Sequence, residues 1–242
     1  MDAATLIDHL DAEGPRLVQS ARRAGVEQAV PYLDWNVGQL VRHTSGAHRW
    51  ATAILRGEVT AIDTAGDLTD GGPDDADVLE WFLAGHADLV ETLRAAPADL
   101  KVPTLMKADS ARHFWARRQA HETAIHRADA GAAAGEVPEF ASDLAQDGIA
   151  ELLLGFGRGR PFAVPTPGTL ALELTDGPSW RIRFGGERNV ISETEGGDAD
   201  AIVRGTSSEV YRWVWNRPSE AVVSGDVEVA ARWAATVRIV RS

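Results

Sequence analysis

Apolar residues recur at helical spacing through the first part of the chain and then give way to short alternating runs. Leu6, Leu10, Leu17 and Val18 mark a helix over 3–24 in spite of the Gly14-Pro15 pair inside it. Asp34 reads as the N-cap of a second helix, in which Val37, Leu40, Val41 and Trp50 carry the apolar pattern to about Gly57. Segment 58–77 is rich in Asp and Gly, holds no Lys or Arg, and reads as a solvated acidic loop. A third helix is expected from about Asp75 to Ala96, with Pro97 and Pro103 bracketing the next connection. The fourth starts near Asp109 or Ser110 and runs to Gly131, and residues 139–154 suggest a fifth.

Residues 155–168, GFGRGRPFAVPTPG, read as a linker. Their Gly-x-Gly-x-Gly follows a helical pattern rather than a strand, which argues against nucleotide binding. Beyond it, segments 169–175, 179–185, 189–195 and 201–205 are separated by turns such as Asp176-Gly177 and Gly185-Gly186, and they predict antiparallel strands. Two helices, about 206–216 and 226–235, flank a short strand, AVVSG. The expected architecture is a helical bundle over 1–158 and a small antiparallel-sheet α+β domain over 159–242.

Composition narrows the chemistry. With 242 residues, 44% hydrophobic and 25% charged, the chain is that of an ordinary globular protein with a sizeable core. A formal net charge of -12 disfavours nucleic acid and anionic membrane surfaces as partners. The N-terminus lacks the basic start and apolar run of a signal peptide, and no apolar stretch is long enough to span a bilayer, so a cytoplasmic location is expected. There is no cysteine, hence no disulfide, thiolate ligand or thiol nucleophile of the chain's own. Any thiol chemistry would need a borrowed thiol.

HETAIHRADA, residues 121–130, raises the question of a metal site. It is not the zinc-protease signature, because Ile125 stands where the second histidine would fall. His121 and His126 are five apart, about 140° around a helix. Glu122 and His126 are four apart on one face, which Asp129 continues. His43, on the second helix and in line with Leu40, Ala47 and Trp50, can supply a third ligand from across a bundle, whereas His48 is turned away by about 140°. Such a nitrogen- and oxygen-donor set would leave room for water or substrate. The same residues also read as a plain i, i+4 pair and a core histidine. His9, His86 and His113 are expected at the surface, as are Arg117 and Arg118, although an arginine beside an open metal site could hold a carboxylate.

The stretches DWNVGQLVRHTSGAHRWA (34–51), FWARRQAHETAIHRADA (114–130) and LAQDGIAELL (144–153) resemble, in order, the mycothiol-dependent maleylpyruvate isomerase family. VYRWVWNRP (210–218) and VVSGDVEVAARW (222–233) are similar to the family's sterol-carrier-like C-terminal domain. The resemblance implies a DinB-like four-helix bundle that binds a divalent metal, typically zinc, through His43, Glu122 and His126. It implies mycothiol as the thiol cosubstrate and an arginine from the C-terminal domain, best matched by Arg217, holding a carboxylate of an electrophilic substrate. Cis–trans isomerisation by thiol addition and elimination is then the expected reaction. A mycothiol S-transferase, a metal-dependent hydrolase with Asp129 or His121 as base, and a non-enzymatic small-ligand-binding protein are the alternatives.

Overall fold

The computed structural model describes residues 1–62, 71–194 and 197–239, so the middle of the acidic segment 58–77 and Glu195 lie outside the described residues. The chain forms two compact units, Met1–Pro138 and Glu139–Ser242. The first is the expected four-helix bundle: α1 (Ala3–Ala24), α2 (Val37–Leu55), α3 (Val78–Ala95) and α4 (Ala111–Ala133). α1 packs on α3 and α4, and α2 on the same two helices. Leu17, Val18, Val37, Leu40, Val41, Val78 and Phe82 form a continuous buried cluster. Asn36, not Asp34, caps α2: its side chain accepts from the Gln39 amide while the Gln39 side chain accepts from the Asn36 amide. Ser110 caps α4 as expected.

Pro15 sits inside α1 and has no N–H to give to the Asp11 carbonyl one turn back. His86 of α3 supplies the missing donor, its Nε2 lying 3.4 Å from that oxygen. Gly14 makes the approach possible, since a Cβ there would collide with the His86 ring. His86 is therefore 3% exposed rather than at the surface, and the helix-breaking pair is the socket of a helix-to-helix contact.

The second unit begins earlier than the sequence suggests. α5 (Ser142–Ala150) and the π-helical turn that extends it (Glu151–Phe156) belong with α6 (Ser207–Val214). The Phe140 amide donates to Ser208 Oγ (3.0 Å) and Trp215 Nε1 to the Gly148 carbonyl (3.1 Å). Segment 155–168 is built into this unit and is no linker. Buried Asn189 accepts from the Val164 amide and donates to the Gly157 and Phe162 carbonyls, which fixes the Gly- and Pro-rich stretch in place.

Five strands follow among the described residues, β1 (Gly168–Leu174), β2 (Ser179–Phe184), β3 (Val190–Thr194), β4 (Ala201–Gly205) and β5 (Val222–Gly225), in the order β3-β2-β1-β4-β5. The β1–β4 pair is parallel, against the expectation of an all-antiparallel sheet. Turn residues identify the β1–β2 and β2–β3 hairpins, but they carry no signal for the strand that adds on the far side of β1. α6 and α7 (Val227–Thr236) pack on strands β1 and β4, in a core that includes Leu170, Leu172, Ile182 and Val203. No helix among the described residues is long and apolar enough to cross a membrane.

Replacing Gly by Ala inside a helix ordinarily stabilises by about 1 kcal/mol. Here the sign should reverse: Gly14→Ala is expected to lower stability by about 1–3 kcal/mol, because the methyl group overpacks the His86 ring. Urea unfolding followed by circular dichroism checks this, and an unchanged or raised midpoint would contradict the socket.

Candidate metal centre

α2 and α4 bring His43, Glu122 and His126 together inside the first unit, with exposures of 4%, 1% and 4%. One donor atom from each of the three lies within 4.8 Å of the other two, and this is the one such His/acid group among the described residues. Both imidazoles aim at the same carboxylate oxygen. His126 Nε2 is 3.0 Å and His43 Nε2 3.3 Å from Glu122 Oε1. The helical spacing of four stacks Glu122 and His126 on one face of α4, and α2 delivers His43 from across the bundle, as the residue pattern indicated.

The surroundings hold these three in place. His126 Nδ1 meets Asp129 Oδ2 at 2.8 Å, and the other Asp129 oxygen accepts from the Tyr32 hydroxyl at 2.9 Å. Arg118 Nη2 donates to Glu122 Oε2 at 3.2 Å. The Trp35 ring stands 4.7 Å, centroid to centroid, from His43 and 6.5 Å from His126. It is presented by a tight connection before α2 in which the Val30 amide bonds the Trp35 carbonyl at 2.9 Å. Trp35 thus borders both imidazoles. Trp50 and Trp115 instead pack edge to face on one another, 5.3 Å apart.

Arg118 and Tyr32 adjoin the group without having been expected there. Arg118 is 3% exposed, not solvated, because it lies one helical turn before Glu122 on the inward face of α4. Tyr32 carried no sequence signal, since it comes from an irregular connection far from α4 in the chain. His48 and His121 are fully buried but outside the group; His48 Nε2 bonds Thr123 Oγ1 at 2.9 Å. Arg217 belongs to the second unit, just after α6, where its Nη1 donates to the Trp215 carbonyl at 2.7 Å. It follows Asn216, whose φ of 60° and the Arg217 N–H to Arg212 carbonyl bond close the helix in a Schellman-type end.

Electrostatics bind the group into one unit. Burial disfavours a charge on either partner, yet His126 outweighs it for Glu122, with help from His43 and Arg118, and holds that carboxyl well below the usual range. Burial likewise works against a charged His126, but Glu122 and the Asp129 hydrogen bond prevail and raise its pKa to about 9. Without a metal, the group is a carboxylate clasped by an imidazolium. Two imidazole nitrogens and a carboxylate oxygen are a donor set suited to zinc and similar divalent ions, and a carboxylate behind one imidazole is the usual outer support. The residues fit such an ion.

A four-helix bundle that carries a candidate group of metal ligands, followed in the chain by a small α+β unit, is the class this arrangement defines. Residues 7–131 match the family model described as the mycothiol maleylpyruvate isomerase N-terminal domain, and residues 143–232 match the MDMPI C-terminal domain. The first match alone spans more than half of the chain, and the chain belongs to the mycothiol maleylpyruvate isomerase family. Two crystal structures of the mycothiol-dependent maleylpyruvate isomerase, one of them of a histidine-to-alanine mutant, share the fold. Their TM-scores are 0.63 and 0.64 at 14% and 13% identity, each covering 93% of both chains. No curated protein matches this sequence.

In the metal-free protein, Asp129→Asn is expected to lower the His126 pKa from about 9 by about 1–3 units, since the variant loses the negative charge facing Nδ1. NMR titration of the imidazole carbons measures it. A pKa that stays near 9 would assign the whole shift to Glu122.

Proposed function

We propose that the chain is a metal-dependent, mycothiol-using isomerase acting on an electrophilic, carboxylate-bearing substrate, in keeping with its family. The observation that carries this reading is the convergence of His43, Glu122 and His126 in a chain that has no cysteine to act as nucleophile. The thiol must then come from a small molecule. A divalent ion, zinc on this donor set, would supply the positive charge that keeps a bound thiol deprotonated at neutral pH.

The chain's own residues do the rest. His43 and His126 act as neutral donors through Nε2, and Asp129 keeps the His126 proton on Nδ1 so that the other nitrogen's lone pair faces inward. Glu122 contributes its carboxylate, and Trp35 walls the two imidazoles. Arg217 is assigned the substrate carboxylate, which its planar fork of donors suits.

The reaction balances without a redox partner. The thiolate sulfur bonds to one carbon of the cis double bond as the π pair moves onto the conjugated carbonyl. Rotation follows about what is now a single bond. Return of the electron pair then expels the thiolate and leaves the trans isomer. An electrophile that keeps the sulfur would make the same residues an S-transferase.

Purified protein given zinc and maleylpyruvate should produce the trans isomer only when mycothiol is added, and chelation should abolish turnover. A stable thioether product would favour S-transfer, and equal turnover without thiol would favour hydrolytic or other chemistry. His43→Ala, Glu122→Ala and His126→Ala should each lose metal, by elemental analysis, with helical circular dichroism retained. Metal content unchanged in all three would sink the assignment. Arg217→Ala should keep metal and lose turnover by about 100-fold or more, the scale of a lost charged anchor at a reacting centre. Normal kinetics would remove Arg217 from the site.

A further inference from the structure

The bundle core holds two further histidines that the candidate metal group does not use. His48 of α2 is fully buried and His86 of α3 is 3% exposed. Their rings lie 5.3 Å apart, centroid to centroid, and Phe82 completes the layer, stacked on His86 at 5.7 Å and tilted against His48 at 5.2 Å. Hydrogen bonding fixes the tautomer of each. The Thr123 hydroxyl gives its one proton to the Gln119 carbonyl at 2.7 Å, so His48 Nε2, 2.9 Å from that hydroxyl, must donate to it. His86 Nε2 faces the Asp11 carbonyl, which can only accept. With both protons on Nε2, each Nδ1 carries a bare lone pair, and neither atom meets a hydrogen-bond partner among the described residues.

Such a pair is closed only while both rings are neutral. A proton added at either Nδ1 finds no acceptor in the protein, and it sets a charge against Phe82 and a second imidazole in a layer shielded from water. Burial is the largest influence on each ring and holds both below the ordinary histidine range, His48 far below, with His86 the next influence on His48. The charges that face the pair are Asp11 from α1, Arg49 from α2, and Glu122 and His126 from α4. Asp11 and Glu122 favour protonation, Arg49 and His126 oppose it, and burial prevails. We propose that His48 and His86 form an acid-sensitive latch: the neutral pair holds α3 against α1 and α2, and uptake of a proton opens it at the Gly14-Pro15 socket. His86 is the part that moves, because the same ring carries the bond to the Asp11 carbonyl and fills the space over Gly14. His48 stays tied to Thr123, next to Glu122 in α4. The inference goes beyond the reading of His43, Glu122 and His126 as metal ligands and does not require it.

A histidine released from the layer titrates near its ordinary value of about 6.5. Both rings are depressed in the closed state, so the latch contributes fully above that pH and loses its contribution as the pH falls below it. Between pH 7.5 and 5.5 each ring that stays neutral in the closed state should raise the opening equilibrium by about tenfold, and the pair by up to about a hundredfold. Amide hydrogen exchange, read by mass spectrometry on the full-length protein and corrected for the intrinsic pH dependence of exchange, measures that opening. In wild type, protection around Gly14 in α1 and His86 in α3 should fall by about tenfold or more over this range, ahead of the rest of the bundle. Gln keeps a donor near the place of Nε2 and does not titrate, so the double variant His48→Gln, His86→Gln should hold its protection within about threefold. An equal fall in wild type and double variant would overturn the proposal, as would loss of protection in all four helices together, which is plain acid unfolding. If the double variant fails to fold, His86→Gln decides: a weakened pH dependence supports the latch, and an unchanged one overturns it. Wild type that keeps its full protection at pH 5.5 would overturn it without any variant.

Discussion

A carboxylate with 1% exposure is costly unless its charge is answered nearby, and the first unit of this protein is arranged around answering Glu122. His43 and His126 meet one oxygen and Arg118 the other, while Asp129 and Tyr32 steady His126 from behind. Each partner comes from a position that helical geometry dictates. Arg118, Glu122 and His126 lie four apart along α4, and His43 enters from α2 across the bundle. Removing any one partner leaves a buried charge that the others must redistribute, so the set is interdependent in a way that a surface ion pair is not.

The rest of the bundle serves this cluster by fixing α4. α4 is nearly all buried and packs mainly on α1, which carries a proline in its interior. That weakness is met by His86 from α3, seated over Gly14 and bonded to the carbonyl that Pro15 leaves without a donor. Glu13, the residue just before the Gly14-Pro15 pair, is itself buried and pairs with Arg127 of α4 at 3.0 Å. The proline-bearing part of α1 thus faces the stretch of α4 next to His126, and the Gly14-Pro15 pair is tied to the positioning of the candidate ligands.

Much of this was legible from the sequence, and the reasons differ from part to part. Helical spacing located α1 to α4 within a few residues, and the i, i+4 relation singled out Glu122 with His126 over His121. His43 could be chosen over His48 because it shares the stripe of Leu40 and Ala47, although His48 proves to be buried as well, against Thr123 rather than Glu122. The burial of Arg118 and His86 was not legible. Charged and titratable residues sit outside by default, and the exceptions depend on partners from other helices that spacing does not reveal. Tyr32 was out of reach for the same reason. The Gly- and Pro-rich stretch 155–168 looked like a boundary because local composition shows turns but not the distant Asn189 that holds them. The parallel β1–β4 pair was hidden because hairpin signals speak only for neighbours in sequence.

The most direct measurement is X-ray absorption at the zinc edge on the zinc-loaded protein, before and after addition of mycothiol. The proposed ligand set requires a shell of two imidazole nitrogens and one carboxylate oxygen at about 2.0–2.2 Å, with a sulfur scatterer appearing at about 2.3 Å when the thiol is added. A zinc shell without imidazole, or one in which no sulfur appears, would contradict a thiol-activating centre built on His43, Glu122 and His126.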